Sequence, residues 1–207
     1  MRWSRDFAYA VGLITTDGYL SKDGRHLDLT SKDIEQINNF KNILHLKNKI
    51  GIKRDIKNKN NICFRIQFGN VKLYRYLISI GLSNRKSKTL TSLKIPDRYY
   101  PDFLRGCFDG DGYSTSYWSK QWSNSFVLYS GFTSGSLDFL KWMQNKITNL
   151  YNIKGYIEPG TRVYILKYAK YNSLKLFDIM YYSDQVVCLK RKKFKIDKAL
   201  GIIQLQV

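Results

Sequence analysis

The sequence predicts an α+β protein made of two pseudo-symmetric halves, each with its elements in the order αββαββα. The first reason is a repeat: an amphipathic segment that ends in Asp-Gly occurs at Ala10–Gly18 and again at Leu104–Gly112. The second reason is the pattern downstream of each copy, because strand-like alternation and helical spacing appear there twice in the same order. Two copies of one pattern predict two similar units.

The first half shows this order of elements clearly. Leu27 and Leu29 alternate with polar neighbours, which predicts a strand with one apolar face. Apolar residues then recur every three or four positions up to Leu44, so a helix is expected to begin soon after Ser31. The later strand has one apolar and one polar face. The apolar face is formed by Ile62, Phe64, Ile66 and Phe68, and the other face by Cys63, Arg65 and Gln67.

The second half repeats the pattern, with an insertion that lengthens its first hairpin. A strand from Val127 to Ser134 precedes a helix whose apolar residues are Leu137, Leu140, Met143 and Ile147. The later strand, with Tyr164, Leu166 and Tyr168, aligns with Phe64, Ile66 and Phe68 of the first half. This alignment places Lys167 opposite Gln67 and Lys170 opposite Asn70.

A connector separates the halves. The stretch from Asn84 to Pro101 is basic and contains Pro96 and Pro101, two of the three prolines in the chain. We therefore place the boundary near Arg98, which gives predicted domains of residues 1–98 and 99–207.

The charge of the chain points to a polyanionic partner. Thirty-five Lys and Arg residues against sixteen Asp and Glu residues give a formal charge of +19, which favours nucleic acid. No apolar stretch approaches ~20 residues and no leader is recognisable, so we expect no membrane partner. Three cysteines without a CxxC pair, and two histidines, suggest neither disulfides nor zinc. An intracellular location is expected, with organelles and bacterial or archaeal cytoplasm not distinguished.

Glycine at the third position of each repeated segment predicts close helix packing. Gly12 and Gly106 lie where a helix interior normally disfavours glycine by ~1 kcal/mol relative to alanine. A missing Cβ allows two backbones to touch, so the two segments are expected to pack against each other at the centre of the molecule.

The aspartates that end these helices predict a metal site. Gly18 and Gly112 would take the left-handed conformation that ends many helices, leaving Asp17 and Asp111 at the same end of the pair. Two carboxylates at helix C-termini oppose the macrodipole and each other, and a divalent cation would resolve both conflicts. Such a site can hydrolyse phosphodiesters.

The two segments resemble the LAGLIDADG motif, the second especially, from Phe103 to Tyr113, and the resemblance covers essentially the whole chain. It implies a single-chain, monomeric homing endonuclease, or meganuclease, that cuts double-stranded DNA at a long asymmetric site in intron homing. The motif helices would lie at the centre, and two antiparallel sheets would form a DNA-binding saddle. The implied cofactor is Mg²⁺, and Mn²⁺ or Ca²⁺ can occupy the same sites.

The resemblance also assigns roles to individual residues. Asp17 and Asp111 are implied to be the catalytic acids and metal ligands, with the carbonyl groups of Thr16 and Gly110 near the metals. Asp109, at the sixth motif position, is expected to be structural.

Two further kinds of residue are implied near the scissile phosphate. A basic residue is expected just after the last strand of each half, which selects Lys170 and, with Asn70 at the matching position, Lys72. Ser31 and Ser134 fall where a similar enzyme positions water, although helix N-capping explains both equally well.

The polar faces of the two sheets are expected to enter the major groove, where base pairs are distinguishable. The candidate DNA-binding residues are Ser21, Asp23, Arg25, His26, Asp28, Lys53, Asp55, Lys57, Arg65, Gln67, Thr115, Tyr117, Ser119, Lys120, Gln121, Tyr129, Tyr156, Glu158, Arg162 and Lys167. A strand phase shifted by one residue would exchange half of them for their neighbours.

Two alternatives use the same fold. An intron RNA maturase would suit the charge and the aromatic residues equally well and could lose its acids without penalty. A DNA-binding regulator that does not cleave would need the sheets but not the acids. Both acids are present, which favours the nuclease. The basic run Lys190–Lys193 is expected on a helix that touches phosphates or solvent.

Overall fold

The computed structural model describes residues 1–54, 62–84, 86–122 and 125–205. The chain divides into two compact units, the first formed by Met1–Lys86 and Leu93–Gly110 and the second by Ser87–Ser92 and Asp111–Val207. In the part of the chain that the structure describes, no helix is long and apolar enough to cross a membrane.

The elements follow the predicted order, with two additional helices. In chain order they are α1 (Arg5–Thr16), β1 (Gly18–Leu20), β2 (His26–Ser31), α2 (Ile34–Ile43), β3 (Ile50–Arg54), β4 (Ile62–Gly69), α3 (Val71–Ser79), α4 (Lys86–Thr89), a 3-10 turn (Asp97–Tyr99), α5 (Tyr100–Asp111), β5 (Gly112–Trp118), β6 (Phe126–Ser134), α6 (Leu137–Tyr151), β7 (Tyr156–Pro159), β8 (Tyr164–Ala169), α7 (Lys170–Met180) and α8 (Lys190–Gln204). The predicted α+β class and the repeated αββαββα order are confirmed.

Each unit contains one antiparallel sheet of four strands. The strand orders are β1-β2-β4-β3 and β5-β6-β8-β7, so the second sheet repeats the topology of the first. The registers match as well: Leu29 lies between Gly18 and Ile66 in the first sheet, and Phe132 lies between Gly112 and Leu166 in the second. Equivalent positions can therefore be read across the units, and Lys167 is the counterpart of Gln67, as predicted.

The two faces of each sheet differ in polarity as the alternation predicted. In the first sheet Leu27, Leu29 and Ile66 are buried, whereas Asp28 and Gln67 point to the outer face. In the second sheet the buried residues include Leu128, Phe132, Leu166 and Tyr168. Because side chains alternate with period two, this burial fixes the strand phase, and the predicted phase holds in both sheets.

Helices α1 and α5 touch through glycine, within the first unit. A Cβ on Gly106 would overlap the carbonyl oxygen of Tyr9 and lie 3.0 Å from Gly12 Cα. A Cβ on Gly12 would overlap the Phe103 carbonyl and lie 2.8 Å from Cys107 N. The predicted packing of the motif helices is therefore present. It also explains why residues 93–110 group with the first unit, which differs from a single boundary at Arg98.

The prediction that Gly18 and Gly112 end their helices in the left-handed conformation is wrong. Both are the first residues of strands, β1 and β5, and the described glycines with positive φ are Gly24 and Gly81. Asp17 ends α1 in the right-handed region (φ −89°, ψ −10°), so the chain passes directly from helix to extended strand. Glycine at position 18 serves close approach instead, because a Cβ there would lie 2.7 Å from the Ile14 carbonyl oxygen.

The outer edge of β5 is covered by lysine side chains from α8. Lys192 Nζ donates to the Gly112 carbonyl at 2.7 Å, and Lys195 Nζ donates to the Ser114 carbonyl at 2.5 Å. These carbonyl groups belong to an edge strand, whose outward groups would otherwise lack a strand partner. Ile196 and Ala199 are buried on the same helix.

Candidate active site and nucleic-acid interface

Asp17 is held at the end of α1 by its own backbone and by a buried amide. Its N–H donates to the Leu13 carbonyl at 2.9 Å, and Gln36 Nε2 donates to Asp17 Oδ2 at 2.6 Å. Gln36 is 1% exposed, and Ser31 Oγ donates to Gln36 Oε1 at 3.3 Å, which fixes the direction of the amide. The carboxylate is therefore oriented before any ligand binds.

The sequence prediction missed Gln36, although a signal was present. Gln36 lies four residues before Phe40 and next to Ile37, and these three are the buried residues of α2. A polar residue on the apolar stripe of an amphipathic helix requires a buried hydrogen-bond partner. Its counterpart in the second unit is Phe139, whose side chain cannot donate a hydrogen bond.

Ser31 and Ser134 do not cap helices directly. Their hydroxyl groups accept from the backbone N–H of Asp33 and Ser136, the N-cap residues of α2 and α6, at 3.1 Å each. Ser31 also reaches Gln36, so it takes part in orienting Asp17 in the first unit.

A buried lysine lies beside the last carbonyl groups of α1. Lys86 is 8% exposed, and its Nζ donates to the carbonyl oxygens of Thr15 and Thr16 at 2.8 Å each. The terminal carbonyl groups of a helix carry partial negative charge, so a cation there is favourable. The Thr16 carbonyl, which the motif resemblance implied to lie near a metal, accepts from an ammonium group in the structure.

Replacing Lys86 with Met should lower the free energy of unfolding by about 1–3 kcal/mol, because the two carbonyl groups lose a charged donor. Lys88→Met is the matched control, since Lys88 lies on the same short helix but is exposed. The control should change stability by less than about 0.5 kcal/mol. Urea denaturation measures both, and equal losses in the two variants would show that the buried contact contributes nothing.

Asp111 ends α5 and is exposed. Thr133 Oγ1 donates to its backbone carbonyl at 3.0 Å, and the next carbonyl, that of Gly112, accepts from Lys192. Each motif aspartate thus has a neighbouring residue whose carbonyl group accepts from a lysine. Lys86 and Lys192 both lie in basic stretches to which the sequence analysis gave no catalytic role.

The strand registers place Lys72 and Lys170 beyond the level of the motif aspartates, so their catalytic role stays a prediction. Gly18, next to Asp17, is level with Ile66, but β4 continues to Gly69, which pairs with His26. At about 3.3 Å per residue, the start of α3 therefore lies roughly 10 Å further along the strand. Lys72 is exposed there, and Lys170, after the equivalent end of β8, is displaced in the same way.

The residues around Asp17 offer the ligands that Mg²⁺ prefers. A Cβ on Gly110 would overlap Thr16 Oγ1 and lie 3.1 Å from Asp17 Oδ2, so glycine allows the end of α5 to approach Thr16 and Asp17 closely. The described residues contain no cluster of three or more His, Cys, Asp or Glu side chains. One or two carboxylates completed by carbonyl groups, water and phosphate oxygens is the usual Mg²⁺ arrangement, so the donor set fits.

The predicted DNA-binding residues of the first unit lie on the outer face of its sheet or in the adjoining turn. His26, Asp28, Lys53, Arg65 and Gln67 occupy the polar phase of β2, β3 and β4. The residues of the turn between β1 and β2 are Ser21, Asp23 and Arg25. Asp55 and Lys57 lie outside the described residues. The prediction missed Tyr19, which is 49% exposed on the same face.

The turn of this unit contains a close acid–base pair. His26 Nδ1 lies 2.5 Å from Asp23 Oδ2, and the backbone N–H groups of Arg25 and His26 donate to Asp23 Oδ1 at 3.0 Å each. The hydrogen bond with the His26 side chain, followed by those two backbone donors, lowers the pKa of Asp23 well below its ordinary value. Asp23 is therefore ionised throughout the neutral range.

The predicted DNA-binding residues of the second unit also lie on the outer face of its sheet or in the adjoining turns. Thr115, Tyr117, Tyr129, Tyr156, Glu158 and Lys167 lie on the outer face of the sheet. Ser119, Lys120 and Gln121 follow β5, and Arg162 lies between β7 and β8.

Lys167 occupies a polar and aromatic cluster on this face. Its Nζ lies 3.3 Å from Glu158 Oε1 and 4.6 Å from the centroid of the Tyr129 ring. Burial lowers the pKa of Lys167, but Glu158, Tyr156 and Tyr113 raise it, and the net shift is upward. Tyr113 lies on the same outer face and was not among the predicted residues, and burial raises the pKa of its hydroxyl group. Lys167 therefore remains a cation.

No protein-family model and no curated protein matches the sequence. Solved structures do match. Full-length DUF199/WhiA from Thermatoga maritima is 13% identical, with a TM-score of 0.64, covering 100% of this chain and 63% of that chain. The homing endonuclease I-WcaI, bound to its DNA recognition sequence, is 14% identical, with a TM-score of 0.67, covering 94% and 87%. I-DmoI in complex with DNA and Mn is 18% identical, with a TM-score of 0.53, covering 88% and 98%.

These likenesses concern the fold. This chain spans less than two thirds of full-length WhiA but most of the length of the two endonucleases. The chain has the LAGLIDADG fold, and the predicted arrangement of two α+β halves is confirmed.

Proposed function

We propose that this chain is a LAGLIDADG endonuclease, which hydrolyses phosphodiester bonds in both strands of a long asymmetric DNA site with a divalent metal. The observation that carries the proposal is Asp17, whose carboxylate is oriented by buried Gln36 and closely approached by Gly110 of the second motif helix. Asp111 follows Gly110 directly in the sequence and is the second motif acid.

In this proposal the carboxylates of Asp17 and Asp111 and the carbonyl group of Gly110 would hold Mg²⁺, or Mn²⁺ or Ca²⁺ in the same sites. The Thr16 carbonyl accepts from Lys86 Nζ, so it is not proposed as a ligand. When bound, the metal would activate a water molecule and stabilise the leaving oxygen of the phosphodiester. Gln36 donates to Asp17 Oδ2 and so orients the carboxylate that would hold the metal. Lys86 and Lys192 supply positive charge near the two acids, where it offsets the charge of a bound phosphate.

Double-stranded DNA is the proposed partner, bound by a monomer inside the cell. The outer sheet faces carry donors and acceptors suited to base edges in the major groove, and the charge of +19 favours contact with phosphates. The two faces differ at equivalent positions, for example Gln67 and Lys167, so the target should not be a palindrome.

The proposal is tested with the purified full chain, Mg²⁺ and a library of random DNA duplexes. We expect cleavage of one long asymmetric site, lost with a chelator and restored by Mg²⁺ or Mn²⁺. Sequence-selective binding without cleavage under any of these metals would favour a DNA-binding protein that does not cut. Selective binding of an intron RNA in place of the duplex library would favour a maturase.

A further inference from the structure

We infer that Asp28 and Arg65 together read one G·C base pair of the target, with guanine recognised by Arg65. This rests on the proposed function, because it assumes that the outer face of the first sheet enters a DNA groove. It goes further by assigning a base pair to two named side chains.

The two side chains form an ion pair on the outer face of neighbouring strands. Arg65 Nη2 lies 2.6 Å from Asp28 Oδ2, with β4 supplying the arginine and β2 the aspartate. The Asp28 side chain is 11% exposed and that of Arg65 is 38% exposed, so the acid is fixed while the guanidinium reaches solvent. On β3, the residue paired with Arg65 is Gly51, which has no side chain to cover it.

The pattern of donors and acceptors on this pair matches the major-groove edge of G·C. Guanine presents two adjacent acceptors, N7 and O6, and cytosine presents the N4 donor beside them. A guanidinium fork can donate to both guanine acceptors while the neighbouring carboxylate accepts from N4. An A·T pair places a donor between its two acceptors, so the same fork cannot donate to both.

Electrostatics also favours this role for the acid. A carboxylate on a surface that approaches phosphates is repelled, and removing it would strengthen nonspecific binding. The contact with Asp28 compensates by restricting the rotamers of the long Arg65 side chain before DNA arrives. The guanidinium is the more exposed member of the pair, so it is the group that can reach a base edge.

The described residues of the second unit contain no equivalent pair, so this feature belongs to one half of the target. By register, the counterpart of Asp28 is Gly131 and that of Arg65 is Ile165. The second sheet has an ion pair at different positions, between Glu158 and Lys167. Its cation is an ammonium group, which lacks the planar fork of the Arg65 guanidinium. The G·C requirement set by Arg65 should therefore appear in one half of the site and not at the equivalent position of the other half.

The experiment is selection of bound duplexes from a random library by the full chain with Ca²⁺, followed by sequencing. Wild type should show one position that strongly requires G·C. In Arg65→Gln this position should shift towards A·T, because glutamine pairs with adenine N7 and N6. The preference for G·C over A·T should fall by roughly tenfold to a hundredfold, with the other positions unchanged.

Arg75→Gln is the control for loss of charge, since Arg75 is exposed on α3 and lies off the sheet. It should leave every base preference as in wild type. Asp28→Asn should weaken the preference at the same position that Arg65→Gln changes. Equal urea midpoints for the variants would confirm that each one folds.

The possible failures are distinguishable. If wild type selects a defined site and Arg65→Gln weakens binding without changing any base preference, Arg65 contacts phosphate and this inference is wrong, while the proposed function stands. If wild type selects no sequence at all, both proposals fail.

Discussion

Replacing Asp17 or Asp111 with Asn is expected to abolish double-strand cleavage while DNA binding persists. Asn keeps the shape of Asp but removes the charge that a divalent cation requires, and metal catalysis supplies several kcal/mol of transition-state stabilisation. The rate of double-strand cleavage should therefore fall by about a thousandfold or more. Single-turnover cleavage of the selected site, with Kd from gel shift in Ca²⁺, measures the two properties separately.

Asp6→Asn is the matched control because Asp6 lies on the same helix as Thr16 but in its first turn, and is exposed. This variant should cleave at the wild-type rate. A loss of less than tenfold in Asp17→Asn would show that this carboxylate does not hold a required metal. If Asp17→Asn also lost DNA binding, the acid would have a structural role.

Replacing Gly106 with Ala is expected to cost at least ~3 kcal/mol of stability, since the added methyl group would overlap the Tyr9 carbonyl of α1. The neighbouring atoms are backbone and cannot rotate away as a side chain could. The two helices would have to move apart, and Leu13, Phe103 and Leu104, all fully buried, would lose packing. Urea denaturation followed by circular dichroism measures the loss.

Gly201→Ala is the control, because Gly201 also lies within a helix but has space for a Cβ. A Cβ on Gly201 would meet nothing within 4 Å, so the substitution removes only the conformational freedom of glycine. We expect it to raise stability by up to about 1 kcal/mol. Similar destabilisation in both variants would mean that helix contact at Gly106 is unimportant.

The parts of the fold that depend on local pattern were predictable from the sequence. Alternation around Arg65 and Gln67 set the strand phase, because burial of one face leaves no other register. Gly12 and Gly106 indicated close helix packing because glycine is unfavourable in a helix unless something requires it. The repeat then assigned the second half by analogy with the first.

The surroundings of the acids were not predictable in the same way. Lys86 contacts Thr15 and Thr16 across about 70 residues of sequence, and only the tertiary fold brings them together. Lys72 was proposed because it follows the last strand of its half. The sequence does not give the strand register, which shows which end of that strand is level with Asp17. Sequence spacing locates residues along a strand, whereas the pairing of strands decides which of them meet.

The α8 lysines that cover the edge of β5 disfavour pairing of this edge with another copy of the chain. A strand from another molecule that added to this edge would have to displace the ammonium groups of Lys192 and Lys195 from the carbonyl oxygens of Gly112 and Ser114. It would also approach a helix whose first turn is Lys190-Arg191-Lys192-Lys193, so two copies would repel each other. The positive charge that favours binding of a polyanion therefore also disfavours edge-to-edge pairing of this sheet with a second copy of the chain.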